Sequence, residues 1–85
     1  MTDRDELILH ALLDALEEVA VPATESLCHM KVDARLGQHI TVAELAAALR
    51  YAEEQGWLTG LPGALARMRW SLTDKGQHAR AQLRA

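Results

Sequence analysis

The residue types able to do chemistry in this chain are four histidines, one cysteine, a strip of carboxylates and a small group of arginines. The histidines and Cys28 have no metal-ligand spacing. His29 and His39 lie ten apart, and Cys28 adjoins His29, so the two would point apart on a helix. No H-x-x-x-H or C-x-x-C pair occurs, so no metal site is expected. Asp3, Glu6, His10, Asp14 and Glu17 carry acid–base groups, but they fall on one strip of a helix and read as a solvated face. No nucleophile elbow, phosphate loop or Cys/His/Asp set appears, and a chain of 85 residues leaves little room for a pocket. The expectation is no enzyme, no catalytic residue and no cofactor.

The arginines are more informative. Arg67 and Arg69 alternate with Met68, Trp70 and Leu72, a period of two that separates a basic wet face from an apolar one. Such charges also keep an exposed hairpin soluble and blunt its edge. The net charge of −3 conceals an asymmetry. Residues 1–54 hold eleven acids against four Lys/Arg, and residues 55–85 hold one acid, Asp74, against five. Any polyanion-binding footprint must therefore come from the second half.

Length and composition bound the rest. The chain is one small domain spanning 1–85, with 49% apolar residues to fill a core and only 4% aromatics. No run is long and apolar enough to span a membrane, no leader pattern opens the chain, and the lone Cys28 suits a reducing compartment. A cytoplasmic protein is expected.

The elements that must position these groups can be read in order. A first helix is predicted from about Asp3 to Val19, capped by Thr2 or Asp3 with Asp5 or Glu6 as the box partner. Its apolar arc covers roughly 240°, far beyond an ordinary surface stripe. It must be covered by the core on one side, and by the last helix or a second copy on the other. Val21-Pro22 ends it. Thr24 caps a second helix, about Glu25 to Leu36, stopped by Gly37, with Cys28, Val32 and Leu36 as its core face. Gln38-His39-Ile40 is a turn. Thr41 and Glu44 form a capping box for a third helix, about Val42 to Gln55, ending at Gly56. Val42, Leu45, Ala48, Leu49 and Ala52 should be buried; Ala43, Glu44, Ala47, Arg50, Tyr51 and Glu54 should face out. Trp57-Leu58-Thr59 is extended, Gly60-Leu61-Pro62-Gly63 reads as a turn, and 65–72 as the second arm of a hairpin. Trp57 and Trp70 are expected to cross-pair beneath it. Thr73 or Asp74 caps a last helix, Lys75 to Leu83, whose Lys75, Arg80 and Arg84 read as solvation.

Three helices, a hairpin and a further helix is the order of a winged helix-turn-helix domain. The segments E-E-Q-G-W-L-T at 53–59 and R-W-S-L-T-D-K-G at 69–76 resemble the ends of the recognition helix and wing in small PadR- and MarR-type bacterial regulators. The resemblance covers 41–76 closely and 1–40 by helix count. It implies a mainly α fold with a small antiparallel β-hairpin, and DNA binding by a transcription-type regulator. The helix at 42–55 would enter the major groove and the wing at 60–65 would lie along the neighbouring backbone. On that reading Arg50 reads guanine edges, Ala43 and Ala47 meet thymine methyls, Tyr51 reaches a phosphate oxygen, and Arg67 and Arg69 grip phosphates. A homodimer through the first and last helices would set two such helices in successive major grooves. The face from 43 to 54 sums to a charge of −2, Glu44, Glu53 and Glu54 against Arg50. That acidity supports an alternative, a winged helix used as a protein-interaction module that docks a basic partner on its Ala-rich third helix.

Overall fold

The computed structural model describes residues 2–19, 22–62 and 68–84. Four helices, α1 (Asp3–Val19), α2 (Glu25–Leu36), α3 (Val42–Glu54) and α4 (Asp74–Arg84), surround a small antiparallel sheet. The sheet has three strands, β1 (Ala23–Thr24), β2 (Leu58–Pro62) and β3 (Met68–Leu72), in the order β1-β3-β2. The architecture is the mainly α winged-helix fold anticipated from the sequence. Among the described residues no helix is long and apolar enough to cross a membrane.

α1 is the axis of the core. Ile8, Leu9, Ala11, Leu12, Leu13, Ala15 and Leu16 are all buried, and the helix packs on α2, α3, α4 and β3. Its wide apolar arc is thus largely covered within one chain, leaving only Leu7 of its large apolar residues exposed. The carboxylate strip is not simply solvated. Asp14 accepts a hydrogen bond of 2.8 Å from Arg80 Nε, joining α1 to α4 with both side chains mostly buried. Arg80 is therefore a structural residue, and His10 and Glu17 are half-buried. Glu18 joins α1 to α2 through Lys31 at 3.2 Å and through Arg35. The cap of α1 is reciprocal: the Asp5 amide donates to Thr2 Oγ1 at 3.1 Å and the Thr2 amide to Asp5 Oδ2 at 3.2 Å.

Cys28 and Val32 form the buried face of α2, with Leu36 packed at its edge, while Met30 is 61% exposed. On α3 the apolar face is Leu45, Ala48, Leu49 and Ala52. Val42 does not belong to it. It is 62% exposed in the first turn, ahead of the point where the helix meets the core.

The hairpin departs from expectation in three respects. Gly60, Leu61 and Pro62 are not a turn but the outer half of β2, paired with Trp70, Arg69 and Met68. β2 is a sheet edge, where a proline removes no ladder bond. Gly60 serves close approach, since a Cβ there would lie 2.6 Å from Met68 Cε and 3.1 Å from Trp70 Cζ3. The second departure is β1, whose two residues pair Ala23 with Trp70 and Thr24 with Arg69 and make β3 the central strand. Third, Met68 shares a face with Trp70 but is 42% exposed, because the ribbon projects past the core there. The predicted strand residues 65–67 lie outside the described residues.

Trp70 is buried, but Trp57 does not pair with it. The Trp57 ring meets Tyr51 edge-on, 5.8 Å between centroids, because residue 57 precedes β2 on the α3 side. α4 is stapled to this point. Thr73 donates from its amide to Trp57 O at 3.0 Å, and its hydroxyl lies 2.7 Å from Gly56 O and 3.0 Å from Trp57 O. The same hydroxyl accepts the Gly76 amide at 2.9 Å, which caps the helix.

Candidate nucleic-acid interface

The turn between α2 and α3 is built from Asp33. One carboxylate oxygen accepts the Ile40 amide at 3.0 Å, and the other lies 2.8 Å from His39 Nδ1. His29 Nε2 is 2.7 Å from Ile40 O and so donates to it, and the two imidazoles stack at 5.7 Å. Gly37 in the left-handed region, φ 66°, ends α2 and returns its amide to Asp33 O. Ile40 drops into the core, 1% exposed. Two of the histidines thus have structural roles in the turn that presents α3. Among the described residues no three His, Cys, Asp or Glu side chains converge to hold a metal ion.

α3 begins with the complete capping box. The Glu44 amide donates to Thr41 Oγ1 at 3.0 Å, and the Thr41 amide donates to Glu44 Oε1 at 2.9 Å. Glu44 has a further partner that no local spacing reveals. Arg4, forty residues earlier, donates from Nε to Oε2 at 2.5 Å and from Nη2 to Oε1 at 3.2 Å. Its remaining nitrogen reaches Gln38 Oε1 at 3.3 Å. Arg4 therefore clamps the first turn of α1, the turn and the start of α3 together. Its hydrogen bonds, with the Thr41 amide, hold the Glu44 carboxyl down at about 2, well below the usual carboxylate range. Glu44 is consequently not a free anion on the outward face. Including Arg4, that face sums to −1 rather than −2.

Ala43, Ala47 and Arg50 are exposed on α3, as the sequence reading places them. Tyr51 is half-buried, its ring held against Trp57 and its hydroxyl without a hydrogen-bond partner among the described residues. Arg69 is exposed at the centre of the sheet between Thr24 and Leu61. Arg67 lies outside the described residues, as does the part of the wing at 63–67. The structure brings Ala43, Ala47, Arg50 and Tyr51 onto one helix and sets Arg69 on the adjoining ribbon.

The ion pairs sort the cations. Arg4, Lys31, Arg35 and Arg80 are each engaged by a carboxylate of the acidic first half or of α3. Among the described side chains, Arg50, Arg69 and Lys75 have no carboxylate partner. They stand on α3, on β3 and at the start of α4. Lys75 lies beside Gly56, its Cδ 3.6 Å from where a Cβ at that glycine would sit. Sequence counting could not distinguish engaged from available cations, because the pairs cross up to 66 residues.

No family model and no curated protein matches this chain. Solved structures do. The structure of the hsRosR-S1 complex matches with a TM-score of 0.75 at 16% identity, covering 96% of this chain and 68% of that one. The hsRosR-S4 complex gives the same score and identity, with 66% of that chain covered. SSV1 F-93 matches with a TM-score of 0.67 at 18% identity, covering 98% of this chain and 83% of that one. What these structures share with this chain is the winged-helix fold.

Proposed function

We propose that this protein is a DNA-binding winged-helix regulator that reads duplex DNA with α3 and holds the backbone with its wing. The observation that carries the reading is the distribution of unpartnered cations. Arg50 and Arg69 lie on α3 and the ribbon, the elements read as meeting DNA, while Arg4, Lys31, Arg35 and Arg80 are spent on internal pairs. Arg50 would supply the base-edge fork, Ala43 and Ala47 the methyl contacts, and Tyr51 a phosphate contact from its free hydroxyl. Arg69, with Arg67, would bind phosphates from the ribbon. The winged-helix neighbours support the same reading. The alternative, a module docking a basic partner on an acidic α3, loses its best-placed carboxylate to Arg4 and finds no support among those neighbours.

Duplex binding followed by fluorescence polarisation across a salt series tests the reading. Two or three cationic contacts per subunit, Arg67, Arg69 and the charge of Arg50, give a slope of log affinity against log salt of about −2 to −3. Arg67→Ala with Arg69→Ala should lower affinity for all sequences and make the slope shallower by about 2. Absence of duplex binding at low salt refutes the proposal. A homodimer through α1 and α4, covering exposed Leu7, would set two α3 helices one helical turn apart. Sedimentation at two concentrations tests it.

A further inference from the structure

A cleft of about 340 Å³ opens between the first half of α1 and the outward side of α3. Its floor is apolar: Ile8, Leu9 and Ala48 are each less than a tenth exposed and belong to the core. Its walls are Ala47 and the half-buried Tyr51, and its rim carries the carboxylates of Asp5 and Glu44. The volume is in the range that holds small ligands, and the lining is the usual kind, an apolar bed with a few convergent polar groups.

The polar groups share one sign. Glu44 is ionised but answered by Arg4. Asp5 uses Oδ2 to accept the Thr2 amide, and its Oδ1 accepts no hydrogen bond among the described residues. The Tyr51 hydroxyl is likewise unengaged. Arg4 pairs with this rim at Glu44, and Asp3 and Glu6 add negative charge in the same turn of α1. An anionic ligand would meet repulsion there and a neutral one would leave Asp5 unanswered. An organic cation satisfies the rim while its body covers the floor, and an aromatic wall at Tyr51 favours a cationic head further.

We propose that this cleft binds an apolar organic cation, an ammonium group on an aromatic or branched alkyl body of about ten to fifteen heavy atoms, and that its occupancy displaces duplex DNA. The second half rests on the DNA-binding reading. Ala47 and Tyr51 line the cleft and also belong to the face assigned to DNA, so a seated ligand and a major-groove edge compete for the same two side chains.

The site can be tested apart from DNA. 4-Phenylbutylammonium, 4-phenylbutanol and 4-phenylbutyrate share one body and differ in charge. Each is titrated into the full chain, with the methyl resonances of Ile8, Leu9, Ala47 and Ala48 as readout and Trp57 fluorescence, through its contact with Tyr51, as the second. The ammonium should bind about two- to fivefold more tightly than the alcohol, the size of a partly exposed charge interaction, and the carboxylate more weakly than either. Ala47→Leu fills the cleft at an exposed position and should abolish binding with the circular dichroism spectrum unchanged. Asp5→Asn should bring the ammonium to the affinity of the alcohol. Shifts confined to other residues, equal affinity for ammonium and carboxylate, or binding that survives Ala47→Leu overturn the site. For a chain that binds duplex, saturating ammonium should weaken that binding at least fivefold; unchanged duplex affinity with the methyl shifts present overturns the competition alone. A chain that never binds duplex refutes the DNA reading and the competition, and the methyl shifts still decide the cleft.

Discussion

Gly76 occupies the first turn of α4, where alanine would ordinarily be the better helix former by about 1 kcal/mol. Its surroundings reverse that preference. A Cβ at this position would lie 2.1 Å from Trp57 O, 2.9 Å from Trp57 C and 2.8 Å from Leu72 Cδ1. Two of these atoms are backbone, so no rotamer change relieves the clash and α4 must move away from the 56–57 corner. That movement stretches the Thr73 amide bond to Trp57 O and the Thr73 hydroxyl contacts to Gly56 and Trp57. Losing two such bonds costs about 1 kcal/mol each, and forced overpacking adds about 1–3 kcal/mol. After the helix-propensity gain, Gly76→Ala should destabilise the fold by about 2–4 kcal/mol. In a domain of this size that lowers the melting temperature by roughly 10–25 °C. Gly37 provides the comparison. It looks equally like a breaker in sequence, but it has nothing within 4 Å and only a left-handed φ of 66°. Gly37→Ala should therefore cost about 1–2 kcal/mol of strain. Thermal and urea denaturation followed by circular dichroism measure both. A Gly76→Ala protein as stable as the parent, or less damaged than Gly37→Ala, would refute the docking of α4 onto Trp57.

Three further outcomes follow from named contacts. Glu44 titrates at about 2 when folded against an ordinary value of 4.5, so its pairing with Arg4 is fully present above pH 4.5 and lost as pH falls toward 2. The urea midpoint of the parent should fall over that window, and Glu44→Gln should flatten the fall. Arg80→Ala removes the 2.8 Å charge-assisted hydrogen bond that joins α4 to Asp14 and should cost about 1.5–3 kcal/mol in urea denaturation. Cys28 is 1% exposed and burial pushes its thiol up to about 11. A thiol reagent should therefore label it only at the rate of unfolding, and Gly76→Ala should speed that labelling.

The parts of this fold that were legible in sequence are those set by local chemistry. The boxes Thr2/Asp5 and Thr41/Glu44, the stop at Gly37 and the Thr73 cap depend on groups within four residues, and each helix begins and ends close to where those signals place it. The misreadings share another cause. Gly60 and Pro62 look like turn residues because their types are common in turns. Here Gly60 is required by the Met68 and Trp70 side chains, and Pro62 is tolerated because β2 is an edge. β1 was invisible because two residues carry no periodicity and their pairing is with Trp70, forty-seven positions away. Asp14 looked like a solvated acid, and Glu44 like a capping residue with its charge free on the outward face, because Arg80 and Arg4 are far from them in sequence. The exposed candidates Ala43, Ala47, Arg50 and Arg69 were found by face and alternation. Arg4, which aligns α3 for any role it has, had no local signal at all.

A chain of net charge −3 that binds a polyanion must do so locally, and the range of that locality depends on salt. The molecule measures 35 × 28 × 21 Å. At 0.15 M salt the screening length is about 8 Å, so phosphates near α3 and the ribbon sense Arg50, Arg69 and, in the first turn of α1, Asp5, which lines the same cleft as Ala47 and Tyr51, but little of Asp3 and Glu6. At 0.01 M it is about 30 Å, comparable to the whole domain, and those acids then repel the same duplex. Affinity should therefore rise as salt is lowered from 0.3 M, and then flatten below about 0.03 M instead of continuing along the counterion-release line. Replacing Asp3 and Glu6, which have no cation partner among the described residues, by Asn and Gln should restore the straight line at low salt and leave affinity at 0.15 M nearly unchanged. A straight line in the parent, or a gain at 0.15 M as large as at 0.01 M, would show that the acids sit beside the bound phosphates and that α3 does not face the duplex as assigned.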